Sequence, residues 1–302
     1  MRNAFLSKIT ELASKDKDIV LLTADLGFGV FEKFEASFPG QYFNVGVSEQ
    51  NMTGLAAGLA IEGKKVITYS IGNFPTLRCL EQIRNDACYH DLNITIVASG
   101  GGFSYGSLGM SHHATEDISI VRALPAMKVV VPGTEWEASE ATEALINNDS
   151  VGYLRLDKTI FEGNKTLFSL GGSIRYKEGS DITLLTSGGI LNDVVKAANL
   201  LQLQGVDASV VSMHSIKPID KDAIILAAKE TGGIVTVEEH NLDGGLGSAV
   251  AEICMDNGVA PKAFLRIGLE DRYSSIVGSQ DYLKKCYSID AASIVKKVLK
   301  LL

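Results

Sequence analysis

One carboxylate stands where few would be tolerated. In VGVSEQNMTGLAAGLAIEG, residues 45–63, Glu49 opens a run made mostly of Gly, Ala and Leu. The run predicts a buried helix whose thin side chains admit a neighbouring backbone, and it is too short to span a membrane. A carboxylate entering such a place is costly unless something binds it. Its plainer role is to steady the helix dipole from the first turn. A second stretch with chemistry is SGGGFSYGSLGMSHHATED, residues 99–117. Its glycines let a loop bend sharply and approach a ligand through its backbone. The adjacent His112 and His113 can shuttle a proton near neutral pH or hydrogen-bond a sugar oxygen. Adjacent side chains diverge, so the two make a poor metal pair; the plainer alternative is a surface loop with solvated histidines. Arg155, in VGYLRL, stands at a strand end, where its rigid fork suits phosphate or carboxylate unless it forms a surface ion pair. GGLGSAVAE, residues 244–252, holds half of a dinucleotide fingerprint without the full spacing, and predicts tight packing at a helix start rather than NAD binding. EEH, residues 238–240, ends a strand and can contribute a polar contact, with solvation the plainer expectation.

The elements that must position these residues alternate along the chain. DIVLLTAD, KKVITYSI, NITIVAS, MKVVVPG and VGYLRL are short apolar runs. LRCLEQIRNDACYH and TEWEASEATEALIN carry helical patterns, the latter capped by Thr134. Such alternation implies crossover units and a mainly parallel sheet with helices on both faces. Residues 157–180, rich in Gly, Ser and charge, predict a linker. A second, shorter alternation follows, from DITLLTSG to KAFLRIG. The expectation is two α/β domains with parallel sheets, residues 1–165 and 175–302, meeting near residue 170. Ligands collect beyond the carboxyl ends of parallel strands. TADLGFG, GNFPTLR and the loop at 99–117 lie at such ends, and Glu49 precedes a helix of the same domain. The loops are expected to converge on one site.

The 302 residues carry a formal net charge of −8, with a pI near 5.2. The acidic balance, without a Lys/Arg block, argues against a nucleic-acid partner. The opening MRNAFLSKITELASKDKD lacks the apolar core of a signal peptide and predicts an amphipathic helix on Phe5, Ile9 and Leu12. No apolar run is long enough for a bilayer, so no membrane role is expected. Cys79, Cys88, Cys254 and Cys286 show no CxxC pairing and are expected to be reduced thiols of a cytoplasmic protein. A zinc site would need tighter clustering.

Taken in order, NVGVSEQNMTGLAAGLA, LEQIRNDACYH, SHHATEDISIVRALPAMKVVVPG, YLRL and VTVEEHNLDGGLGSAVAE resemble the C-terminal half of transketolase, over nearly the whole chain. The resemblance implies a pyrimidine-binding domain followed by a transketolase C-terminal domain. It implies thiamine diphosphate as cofactor and transfer of a two-carbon ketol unit between sugars or sugar phosphates. The family's Gly-Asp-Gly motif, which holds the diphosphate and Mg2+, is missing. This implies a split enzyme whose N-terminal partner subunit carries that motif and most of the metal's ligands, in an α2β2 assembly. By its motif Glu49 is the glutamate that hydrogen-bonds an aminopyrimidine nitrogen and favours the imino tautomer, whose nitrogen takes the thiazolium proton. A carboxyl in an apolar pocket disfavours its charged form, which suits a group that shares a proton. The resemblance also implies that His112 faces cofactor and substrate, that Asp25 lies near the cofactor, that Phe74 stacks on the pyrimidine, and that Arg155 binds the sugar phosphate. SIGNFPT departs from the family's aromatic pattern around Phe74. Leu108 stands where an aspartate often contacts a sugar hydroxyl, and Gly100 near a histidine that helps hold the phosphate. Both departures imply weak use of the ordinary ribose 5-phosphate/xylulose 5-phosphate pair. The β subunit of a 2-oxoacid dehydrogenase, which shares the fold and the glutamate, is the nearest alternative. A catalytically silent binding or scaffold subunit is the alternative of another class.

Overall fold

The structure is a computed structural model that describes residues 1–27, 29–158, 161–163 and 165–302. Phe28 of TADLGFG, and residues 159, 160 and 164 of the expected linker, lie outside the described residues. The first alternation yields β1 (Ile19–Thr23), β2 (Tyr42–Asn44), β3 (Lys65–Ile71), β4 (Ile94–Ser99), β5 (Lys128–Val130) and β6 (Gly152–Leu156). The second yields β7 (Ile174–Lys177), β8 (Ile182–Thr186), β9 (Ala208–Ser212), β10 (Ser215–Lys217), β11 (Ile234–Asn241) and β12 (Phe264–Leu269). Two sheets form, in the orders β10-β5-β6-β4-β3-β1-β2 and β12-β11-β8-β9-β7. Among the described residues every pairing of these strands is parallel except those of β10 with β5 and of β7 with β9. β1, β4 and β6 are buried along their whole length, as a sheet covered on both faces requires.

The opening helix Arg2–Lys15 buries Phe5, Ile9 and Ala13, and Thr134 caps the helix Glu135–Ile146 by accepting from the Glu137 amide at 3.0 Å. The segment after β3 is helical with three pitches in series: a 3-10 turn at Leu77–Cys79, an α turn at Leu80–Gln82 and a π segment at Ile83–Cys88.

The two halves are less separate than the sequence implies. β7 starts inside the stretch expected to be a linker. β10, from the second half, edges the first sheet, with Ser215 opposite Val130. One apolar cluster joins Met52, Ala56, Ile96 and Tyr153 of the first half to Val211, Met213, Ile224 and Leu246 of the second. The domains therefore share a core as well as having cores of their own.

Candidate active site

β1 has β2 on one side and β3 on the other, so the strand order reverses direction at β1. A crevice opens beyond the carboxyl ends of strands at such a reversal. Three connections enter it, those that follow β1, β2 and β3.

Glu49 is the first residue of the helix Glu49–Ile61, following Ser48. The buried stripe of that helix is Glu49, Met52, Thr53, Ala56 and Ala57. This spacing sets Glu49 on the face that packs inward, and the carboxylate is buried. Its partner comes from the segment after β3: Arg78 Nη1 donates to Glu49 Oε2 at 2.8 Å. The Arg78 side chain is 46% exposed and that of Glu49 4%, so the pair bridges the crevice wall and solvent. The same guanidinium lies over the Phe74 ring, 4.5 Å from its centroid. Phe74 in turn meets the His112 ring edge to face, centroids 5.2 Å apart. Glu49, Arg78, Phe74 and His112 thus form one continuous row. Three of the four are expected from the sequence.

The loop at 99–117 is pinned rather than free. Gly102 and Ala114 exchange backbone hydrogen bonds of 2.8 and 3.0 Å, and the Asn73 side-chain amide donates to the His113 carbonyl. His113 is buried and bonds the Gly106 carbonyl through Nε2 at 3.2 Å. His112 is half-buried and faces Ser111 Oγ at 3.1 Å. The two histidines therefore differ: His113 holds the loop, and His112 is presented at the row.

Asp25 sits apart from the row. Its backbone is left-handed, with φ of 55°, and its amide donates to Asn44 Oδ1 at 2.9 Å. It joins the ends of β1 and β2 at the crevice.

Arg155 is placed differently from its sequence-based role. It is 2% exposed. Nε donates to Asp157 at 3.1 Å, Nη2 to the Glu239 carbonyl at 2.9 Å, and Nη1 lies 3.5 Å from Asp117. Burial works against its charge, but Asp117 and Asp157 more than offset this and hold the guanidinium charged. The fork that a sugar phosphate would need is spent on two carboxylates and a backbone carbonyl. Arg155 is accordingly not available as the expected phosphate ligand without breaking this network.

The expectation that EEH is solvated is overturned. Glu238, Glu239 and His240 are all buried, because the carboxyl end of β11 abuts the first sheet. There the Asn241 amide donates to the Thr115 carbonyl at 2.7 Å. Glu238 accepts from the Leu246 and Gly247 amides at 2.7 and 2.8 Å, capping the helix Leu246–Asp256. An added Cβ at Gly247 would lie 2.7 Å from Thr236, which is the tight helix start that GGLGSAVAE predicts. Glu239 Oε1 accepts from the Phe103 amide at 2.6 Å and so holds the glycine-rich loop from the second domain. Burial pushes Glu238 and Glu239 each up to about 7.

Arg78 is the site residue that sequence reasoning missed. It lies four residues after Phe74, where the turn that follows β3 passes into the 3-10 turn Leu77–Cys79. That nearness to Phe74 was the available signal.

Residues 1–162 match the family described as transketolase, pyrimidine binding domain, and residues 171–294 that described as transketolase, C-terminal domain. The protein of Methanocaldococcus jannaschii named putative transketolase C-terminal section is 37% identical over 306 residues, covering 99% of this chain and 95% of that one. A protein of Phocaeicola vulgatus named as one of the subunits of an apulose-4-phosphate transketolase is 34% identical, covering 99% and 96%. A solved structure described as split gene transketolase, inactive beta4 tetramer, superposes with a TM-score of 0.89 at 33% identity, covering 100% of this chain and 97% of that one. The chain therefore belongs to the transketolase family, of which it carries the pyrimidine-binding and C-terminal domains.

Proposed function

We propose that this chain is the C-terminal subunit of a split, thiamine diphosphate-dependent transketolase. It assembles as α2β2 with an N-terminal subunit that holds the cofactor's diphosphate and Mg2+, and the complex moves a two-carbon ketol unit between sugar or sugar-phosphate substrates in the cytoplasm. The observation that carries the reading is the Glu49 carboxylate, buried at a helix start and joined through Arg78 to the Phe74 ring. The two groups match an aminopyrimidine: a carboxylate for a ring nitrogen and an aromatic face for a flat ring. Bound there, the cofactor would supply a nucleophilic thiazolium carbon and an electron sink. Glu49 would hold and exchange a proton at the ring nitrogen. Phe74 would fix the plane of the ring. His112, half-buried at the end of the row, would hydrogen-bond the sugar and move a proton on its oxygen. Asp25 would close the crevice beside the cofactor.

The outward face of the helix Glu49–Ile61 supports assembly. Asn51, Gly54, Leu55, Gly58 and Ile61 are exposed there, and nothing lies within 4 Å of a Cβ added at either glycine. Substrate choice departs from the ordinary pentose phosphates. Leu108 is 54% exposed and offers no polar group, and Gly100 is held beneath the Tyr105 ring. With Arg155 enclosed, an anionic sugar needs other cations. A relative named for apulose 4-phosphate fits a chain whose sugar is not one of the ordinary pair.

The test is reconstitution. Each chain alone should show no ketol transfer to an aldehyde acceptor, and the mixture with the diphosphate-domain chain should show it. Across a panel of donors and acceptors, the ribose 5-phosphate/xylulose 5-phosphate pair should not rank first. Full turnover by this chain alone would sink the split-enzyme reading.

A further inference from the structure

Among the described residues the Arg78 guanidinium meets Glu49 and Phe74, and both are groups assigned to the aminopyrimidine. One edge of its guanidinium donates to Glu49 at 2.8 Å. Its face covers Phe74 at 4.5 Å. A guanidinium and an aminopyrimidine are alike in what these groups recognise. Both are flat, both carry N–H bonds in their own plane, and both present a π-face. They cannot occupy one carboxylate edge and one phenyl face together.

We propose that Arg78 is a displaceable stand-in for the aminopyrimidine: in the cofactor-free chain its guanidinium fills the seat made by Glu49 and Phe74, and the cofactor binds by taking both contacts from it. The proposal rests on the thiamine diphosphate reading of the site and adds to it a competitor built into the chain. A buried carboxylate without a partner is strongly unfavourable, and Arg78 supplies the partner while the seat holds no cofactor. Its nearly half-exposed side chain has water to turn into when displaced. Its backbone lies in the 3-10 turn Leu77–Cys79, fixed by the Cys79 thiol on the Phe74 carbonyl at 3.3 Å. The side chain can therefore leave while Phe74 stays.

Occupancy of the seat weakens the cofactor in proportion. A seat filled nine-tenths of the time raises the apparent Kd about tenfold. The experiment is calorimetric titration of thiamine diphosphate, with Mg2+, into the complex of this chain with its diphosphate-domain partner. Wild type is compared with Arg78→Ala and Arg78→Lys. The alanine variant should bind about tenfold more tightly. The lysine variant, which keeps the charge but lacks the flat face, should gain less, and it serves if alanine does not fold. The cofactor-free chain gives an independent readout: Arg78→Ala should lower its melting temperature, and Glu49→Gln added to it should restore most of the loss. Unchanged or weaker cofactor binding in both variants, with wild type binding normally, would overturn the stand-in alone. No binding by any of the three complexes would overturn the cofactor site itself.

Discussion

At the scale of single residues, the division between what is legible in the sequence and what is not follows chemical oddity. Glu49 is visible because a carboxylate heading an apolar run is chemically strange. His112 is visible because it is one of two histidines in a glycine-rich loop. Arg78 is hidden because an arginine in an amphipathic pattern is ordinary, and its meaning depends on a helix that begins well before it in the chain. Arg155 shows the converse. Its place at a strand end is legible, but of the groups that enclose it only Asp157 is near in sequence, while Asp117 and the Glu239 carbonyl come from other elements. The proposed role of Glu49 separates cleanly from dipole complementation. In the assembled complex, Glu49→Gln should slow proton–deuterium exchange at the thiazolium carbon by roughly a hundredfold or more. The isolated chain should lose only about 1 kcal/mol or less, since the lost ion pair has one half-exposed member. Normal exchange with a lowered melting temperature would return Glu49 to the dipole role.

At the scale of elements, the strands and most helices are legible because periodicity and caps are local. The glycine-rich loop is not, since its order comes from partners distant in sequence: Asn73 after β3 and Glu239 at the end of β11. A surface loop with solvated histidines is what the same residues would form without those partners. The helix Glu49–Ile61 offers the sharpest test at this scale. Gly58 lies in its interior and is exposed, with open space where a Cβ would go. Gly58→Ala should stabilise the isolated chain by ~0.5–1 kcal/mol, the usual gain in a helix interior. If the face is where another subunit's backbone comes close, the same methyl should weaken assembly, measured by sedimentation of the reconstituted complex. A variant that is more stable alone and assembles normally would remove this face from the interface.

At the scale of the whole molecule, the sequence implies two domains, each burying its own core. The shared cluster and the strand exchanged at β10 show a tighter union, hidden from the sequence because strand order is a non-local property. The union is also electrostatic. Asp117, Arg155 and Asp157 from the first half meet Glu238, Glu239 and His240 from the second, all buried. This arrangement ties stability to pH, with a sign that can be worked out. Burial first, and the Asp157 charge second, push Glu239 up to about 7 against Lys284, the Phe103 amide and Gln280. An unfolded chain releases that proton near pH 4.3, as ordinary glutamates do. Between about pH 4.3 and 7 the folded chain therefore holds a proton that the unfolded chain lacks. The stability from that proton is complete at low pH and is lost as pH rises through 7. Glu238 has the same sign. Burial moves His214 and His240 the opposite way, His214 to about 4, so they lose stability as pH falls below about 6.5. The two effects oppose each other in the wild-type melting curve, and a comparison with Glu239→Gln isolates one of them. Glutamine keeps an oxygen for the Phe103 amide and does not titrate. The variant's stability relative to wild type should rise from pH 5 to pH 8 and then level, by on the order of 2–3 kcal/mol. The measurement is denaturant unfolding of both proteins at each pH. A difference that stays constant over this range would show Glu239 ionised throughout, with Lys284 and Gln280 prevailing over burial.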